Sequence, residues 1–167
     1  MHLNLNNDFD DDFLNDDTAS GEALNEIKRE QERISSLPLM IKARQIFDVV
    51  NGIVETFSNV DDISLHYKEI MFSNVKKLRK GIVAAEDANY FSTKMENAVL
   101  VKVAAQNLLA QEAGLSLLNL ADPAYLKVLR DEIEEFREKF LEWISTFDRK
   151  NDMDDGWNLF KNLGAKK

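Results

Sequence analysis

The apolar residues of this chain recur at the three- and four-residue spacing that places side chains on one face of an α-helix. An early example steps by four and three residues through Leu39, Ala43, Ile46, Val50, Ile53 and Phe57. The last example steps by three and four residues through Leu126, Leu129, Ile133, Phe136, Phe140, Trp143 and Phe147. Both segments are predicted to be long amphipathic helices with one buried face. Asp122 and Pro123 are a typical cap and first residue for the later one.

Two more helices are predicted between these segments. The first runs from about Asp62 to Ala88, and its predicted buried side consists of Ile63, Tyr67, Ile70, Met71, Val75, Leu78 and Ile82. The second runs from about Ser92 to Ala113 and is apolar on more than one face. We therefore expect it to be central or to be shared with a partner subunit. Gly114 is predicted to end it, because glycine favours the position just after a helix.

Four long helices with short connections predict an all-α protein, and no alternating apolar pattern indicates a strand. The expected architecture is an antiparallel up-down four-helix bundle over residues 37–148. An additional exposed amphipathic helix is expected over residues 19–36. Residues 1–18 are expected to form a mobile acidic tail, and residues 149–167 a C-terminal tail that packs on the bundle.

Charge is unevenly distributed along the chain. Its 167 residues include 30 acidic and 21 basic side chains, which gives a net charge of −9. Ten of the acidic but only three of the basic side chains lie in the first 36 residues, so the body is close to neutral. We interpret the tail as a solubilising segment. The alternative is that Phe9, Phe13 and Leu14 help it to bind and mask a basic surface, on its own subunit or on a neighbour.

The composition excludes several kinds of chemistry. With no cysteine and only two histidines, the chain has no disulfide, no thiolate metal site and no three-histidine centre of its own. A di-metal carboxylate bundle needs Glu-x-x-His pairs, which are absent. The only set that approaches such a site is Glu55, His66, Glu69 and Glu86. Residues 151–156 fail as a calcium loop because Met153 falls at the third position of the loop, where an oxygen ligand is needed. No catalytic residue, cofactor or metal site is predicted.

The segments that remain are candidates for binding rather than catalysis. Lys76, Lys77, Arg79 and Lys80 form the basic cluster of the chain, and Lys68 extends it at helical spacing. Such a stripe could bind phosphates, but the net charge repels polyanions, so a solvated helix face is the simpler interpretation. Near the C-terminus, Trp157 and Phe160 are too apolar for a free tail, so they are expected to pack on the bundle or to dock on a partner.

Three short motifs carry a resemblance to a known family. They are Lys42-Ala43 in the first bundle helix, Ala85-Glu86-Asp87 at the end of the second, and Ser92-Thr93-Lys94 at the start of the third. Over residues 37–148 the chain resembles small bacterial four-helix bundle proteins related to those encoded in intervening sequences of 23S ribosomal RNA. Asp87 stands where that family usually has glycine. The resemblance implies a four-helix bundle and self-association, and it supplies no catalytic residues.

The sequence therefore favours a non-enzymatic interaction or scaffold protein that forms homo-oligomers or binds another protein. Its contact surfaces are expected on the apolar faces of residues 39–57 and 92–113. A cytoplasmic location is expected, because the N-terminus is acidic and no apolar run reaches the ~18 residues of a membrane helix. The alternatives are an RNA-associated bundle that uses the basic stripe and, in a third class, a metal-carboxylate bundle enzyme.

Overall fold

The computed structural model describes residues 21–58 and 61–160, and every regular element within them is an α-helix. The helices are α1 (Gly21–Ser35), α2 (Pro38–Glu55), α3 (Asp62–Asp87), α4 (Phe91–Leu117) and α5 (Pro123–Ser145). The all-α prediction is confirmed for this part of the chain. The predicted acidic tail over residues 1–18, which includes Phe9, Phe13 and Leu14, lies outside the described residues.

The chain divides into two compact units, Met1–Arg33 and Ile34–Lys167. The described part of the first unit belongs to α1. Its apolar residues Leu24 and Ile27 are exposed, and an ion pair of 2.5 Å joins Glu30 and Arg33 one turn apart. Most residues of this helix are exposed, and the expected division of the chain at residues 19–36 stays a prediction.

The second unit contains α2 to α5 around one apolar core. α2 packs against α3 and α5, and α4 packs against the same two helices. The amphipathic stripes supply the core, since burying a large apolar side chain stabilises the fold by about 1.5–3 kcal/mol. The largest fully buried side chains are Leu39, Ile46, Val50, Ile53, Met71, Leu78, Ile82, Leu108, Leu115, Leu126, Leu129 and Phe136.

One of the two expected contact surfaces is buried in this core. The stripe of residues 39–57 was predicted to face a partner, but Leu39, Ile46 and Ile53 are at most 1% exposed within the chain itself. Ile41 is the large apolar residue of α2 that remains exposed. The prediction of an interface on the stripe of α2 is therefore wrong, because α3 and α5 cover it.

Two helix starts follow the local sequence. Asp61 caps α3, since its carboxylate accepts a hydrogen bond of 2.8 Å from the backbone N–H of Ser64. That backbone hydrogen bond holds the pKa of Asp61 below its ordinary value. Asp122 caps α5 by accepting from the N–H of Ala124, and Pro123 occupies the first turn as predicted.

The start of α4 is capped by a distant segment instead. Its N-cap residue, Tyr90, makes no side-chain cap. The carboxylate of Asp152 accepts from the N–H of Ser92 at 3.0 Å and from its hydroxyl at 2.7 Å, and the carbonyl of Asn151 accepts from the N–H of Phe91. The loop after α5 thus satisfies backbone donors that the sequence around residue 90 leaves open.

Two details of α3 and α4 correct the sequence prediction. The buried row of α3 runs through Ser64, Met71, Leu78 and Ala85, so Ile63 is 53% exposed rather than buried. α4 continues to Leu117 instead of ending at Gly114. A Cβ at Gly114 would collide with the hydroxyl of Tyr67, so the Tyr67 side chain would have to shift to admit a larger residue there.

We expect Asp152→Ala to lower the free energy of unfolding by about 1 kcal/mol, the usual value of a helix N-cap. Urea denaturation followed by circular dichroism measures it. Asp131→Ala, which removes an exposed carboxylate of α5, is the control. Equal stability of the Asp152 variant and the wild type would show that this cap contributes nothing.

Candidate interaction surface

The predicted basic cluster lies on the outer side of α3. Lys76, Lys77 and Lys80 are exposed, whereas Lys68 and Arg79 are half-buried. No acidic residue occurs between Glu69 and Glu86, so this stretch of α3 is purely cationic. Within the described residues, no ion pair joins an acidic side chain to Lys76, Lys77 or Lys80. These three ammonium groups are available to a ligand or a partner.

The exposed side of the neighbouring helix is apolar. Val99, Leu100 and Val103 are 41%, 61% and 44% exposed, and Ala110 is exposed one row further along. We call these four residues the α4 strip. Between Glu96 and Glu112 the only charged residue is Lys102. In a chain of net charge −9, the α4 strip is therefore an uncharged surface with cations nearby.

Contacts between α3 and α4 place the lysines beside the strip. Asn107 donates to Asn74 at 3.4 Å, and Gly81 packs against Val101. Lys77 lies between Asn74 and Gly81 on the same side of α3, because residues three and four apart share a helix face. Lys80 follows it by three residues and is also exposed.

The opposite edge of the strip carries Lys102. The side chain of Lys102 is exposed. Around the circumference of α4, Lys102 and Leu100 lie on opposite sides of Val99, and Leu100 is the residue that neighbours α3. We call Lys77, Lys80 and Lys102 the lysine border. An apolar strip between two cationic edges suits a segment that combines apolar with acidic side chains, since burial supplies affinity and the charges supply orientation.

The C-terminal segment divides into a packed part and an exposed part. Phe160 is half-buried against the core, in line with the expectation that this tail packs on the bundle. Trp157 is 86% exposed, so the expectation that it packs there is wrong. The hydrogen bonds of Asn151 and Asp152 to α4 fix the start of the segment, and Trp157 extends away from the surface beyond them.

The residues of the family motifs make contacts between helices. Lys42 of α2 donates to Glu132 at 2.9 Å and to Glu135 at 2.5 Å on α5. Partial burial lowers the pKa of Lys42, but the hydrogen bonds that its ammonium donates to the two carboxylates outweigh this effect, and the net pKa is raised. Lys94 of α4 donates to the carbonyl of Ala85 at the end of α3. These residues have structural roles in the chain.

Glu86 belongs to the same group. Its carboxylate accepts a hydrogen bond of 2.7 Å from the indole N–H of Trp143 on α5. Trp143 also packs edge-on against Phe147, whose ring lies 5.5 Å from the ammonium of Lys94. The motif around residues 85–94 therefore ties α3, α4 and α5 together at one end.

An ion pair between the buried Glu112 of α4 and the exposed Arg130 of α5 was missed by the sequence reasoning. Glu112 is 4% exposed and accepts from Arg130 at 2.6 Å. The hydrogen bond that Arg130 donates to Glu112, together with the negative charge of Glu112, raises the pKa of Arg130 further above its ordinary value. The signal was present in the sequence, because Glu112 is the one acid within the apolar run from Asn97 to Ala121.

Neither a metal centre nor a membrane span emerges from the described residues. They contain no group of three histidine, aspartate or glutamate side chains that could hold a metal ion, and this includes Glu55, His66, Glu69 and Glu86. None of the described helices combines the length and the apolar character that a bilayer crossing requires.

Comparison with family models, with curated proteins and with solved structures found no match for the chain. The surface must therefore be interpreted from its own geometry.

We expect Arg130→Met to lower the urea midpoint of unfolding, because it leaves the Glu112 carboxylate buried without its cation. Arg137→Met is the matched control, since Arg137 pairs with Glu134 one turn away at an exposed site. An equal effect of the two substitutions would contradict a structural role for the ion pair between Glu112 and Arg130.

Proposed function

We propose that this chain is a non-enzymatic interaction or scaffold protein that self-associates through the α4 strip. The observation that carries the proposal is the exposed, uncharged row of Val99, Leu100 and Val103 on a helix that also fills the core. Solvent-exposed helix faces normally carry charges, as α5 does with Glu134, Arg137 and Glu138. A face without them, on a strongly acidic protein, is typical of a surface that is covered in the assembled state.

We further propose that α2 to α5 form an antiparallel up-down four-helix bundle, which presents the strip on one side. The neighbour pattern supports it, since each of the four helices packs against two others. Opposite directions are supported for α4 and α5, since Lys94 near the start of α4 meets Phe147 after α5, while Glu112 meets Arg130 near the start of α5. The family resemblance and the cytoplasmic location remain part of this proposal.

A second candidate is an RNA-associated protein that uses the basic side of α3. Lys76, Lys77 and Lys80 favour it, because three exposed ammonium groups without acidic neighbours on their helix can contact successive phosphates. The flanking aromatic residue, Phe72, is half-buried and packs against Phe47 with ring centroids 5.8 Å apart, so stacking on bases has no obvious platform. Self-association therefore remains the preferred function.

The double variant Leu100→Glu/Val103→Glu should weaken self-association at least about tenfold, because it places charges in the centre of the contact. Sedimentation velocity over a range of concentrations measures the mass. Leu141→Glu, at an apolar position of α5 that is 50% exposed, is the control for an added exposed charge. If the double variant and the wild type associate equally, the α4 strip is not the contact surface.

For the second candidate, single-stranded RNA should bind with an affinity that falls as salt rises, with a logarithmic slope of about −2 for three lysine–phosphate contacts. Lys76→Gln/Lys77→Gln/Lys80→Gln should abolish this binding. Fluorescence anisotropy with a labelled oligonucleotide measures it. Affinity that is absent in the wild type, or unchanged in the triple variant, would exclude RNA binding by α3.

A further inference from the structure

We infer that the α4 strip is covered by the exposed loop of residues 153–159 from a second copy of this chain. This inference rests on the proposed self-association and names the element that docks. We call residues 153–159 the Trp157 loop. It contains Asp154 and Asp155 together with Met153, Trp157 and Leu159, so it combines two acidic with three large apolar side chains.

The Trp157 loop holds its tryptophan out in a defined conformation. The carboxylate of Asp155 accepts from the N–H groups of Trp157 and Asn158 at 2.9 and 3.2 Å, and that of Asp154 accepts from the N–H of Gly156 at 3.0 Å. Gly156 and Asn158 take left-handed backbone angles, with φ of 78° and 52°. A loop ordered in this way loses less conformational entropy on docking than a flexible one.

Its apolar side chains have no cover among the residues that the structure describes. Trp157 is 86% exposed and Leu159 is 64% exposed. An indole left in water is costly, and aromatic side chains dominate the energetics of protein contacts. Within the described chain, the α4 strip offers an exposed apolar surface of matching kind, and its Leu100 is 61% exposed.

Charge complementarity identifies a second copy as the occupant. The strip is bordered by Lys77, Lys80 and Lys102, and the loop carries Asp154 and Asp155 beside its tryptophan. Apolar side chains can meet the strip while each carboxylate faces an ammonium group of the border. The pairing also explains how copies of a chain with net charge −9 associate, since the contact joins an acidic element to a cationic one.

The position of the loop is suited to this contact. Asn151 and Asp152 anchor it at Phe91 and Ser92, at the start of α4. Leu100 lies eight residues further, about 12 Å along the helix. Strip and loop are thus neighbouring but separate surfaces of one copy. A contact between unlike surfaces either closes into a ring or a reciprocal pair, or extends into a chain of copies.

The test uses sedimentation velocity on full-length variants whose folding is checked by circular dichroism. Trp157→Ala should weaken self-association roughly tenfold or more, as expected for an aromatic anchor. Trp157→Phe should retain most of the affinity. Asp154→Asn/Asp155→Asn keeps the acceptor oxygens of the turns and removes only the charges, so it should weaken association and reduce its salt dependence.

The second part of the test reverses the charge of the lysine border. Lys77→Glu/Lys80→Glu should weaken association, and Lys127→Glu/Lys139→Glu, with the same charge change on α5, should not. Neither the border variant nor Trp157→Ala should associate well alone. A mixture of the two should form complexes, since the border variant still has an intact loop and Trp157→Ala still has an intact strip.

The outcomes distinguish a failure of this inference from a failure of the proposed self-association. If Trp157→Ala associates like the wild type while Leu100→Glu/Val103→Glu does not, the loop is overturned as the docking element and self-association through the strip survives. If the mixture forms no complex, the strip and the loop are not partners. If the wild type is a monomer at every concentration, both the inference and the proposed function are overturned.

Discussion

The apolar character of α4 around most of its circumference is the constraint on which the structure depends. Val101, Leu108 and Leu115 are completely buried and join the core with α3 and α5. Leu100 and Val103 lie on the same helix and remain exposed, because two neighbouring helices cannot cover a cylinder on all sides. The fold therefore buries one half of α4 and leaves the other half exposed.

The ends of the helices show how the chain secures this arrangement. Asp152 supplies the cap that α4 lacks, although it lies 60 residues away from Ser92. Glu86 and Lys94 join α3, α4 and α5 at that same end. Glu86 and Lys94 are engaged within the chain, so the short motifs to which they belong have a structural explanation.

Much of the fold is predictable from the sequence, because apolar periodicity records which face of each helix is buried. The stripes of α2 and α5 were predicted almost residue by residue. α3 was harder, since Ile63 and Ser64 are adjacent and hydrophobicity alone favours burial of the isoleucine, whereas the helix phase set by Met71 and Leu78 buries the serine. The predicted end of α4 at Gly114 was wrong, because glycine occurs both at helix ends and where helices pack closely.

The interaction surface was predictable only in part. Apolar residues on several faces of α4 indicated a shared helix, and the lysines of α3 were visible as a cluster. Their position beside the strip depends on the register of α3 against α4, which contacts such as Asn74 to Asn107 set and no local pattern records. The exposure of Trp157 likewise depends on how Asp152 anchors the preceding residues, a long-range contact that sequence spacing does not show.

The most direct test of this account is the molar mass of the unmodified chain, measured by light scattering over a range of protein concentrations at low salt. We predict that the mass rises with concentration, above the 19.1 kDa of one chain and towards a defined multiple of it. Added salt should lower the mass again, because it screens the charges of the contact. A mass of one chain at every concentration would mean that the exposed side of α4 needs no second copy, and it would contradict the central claim.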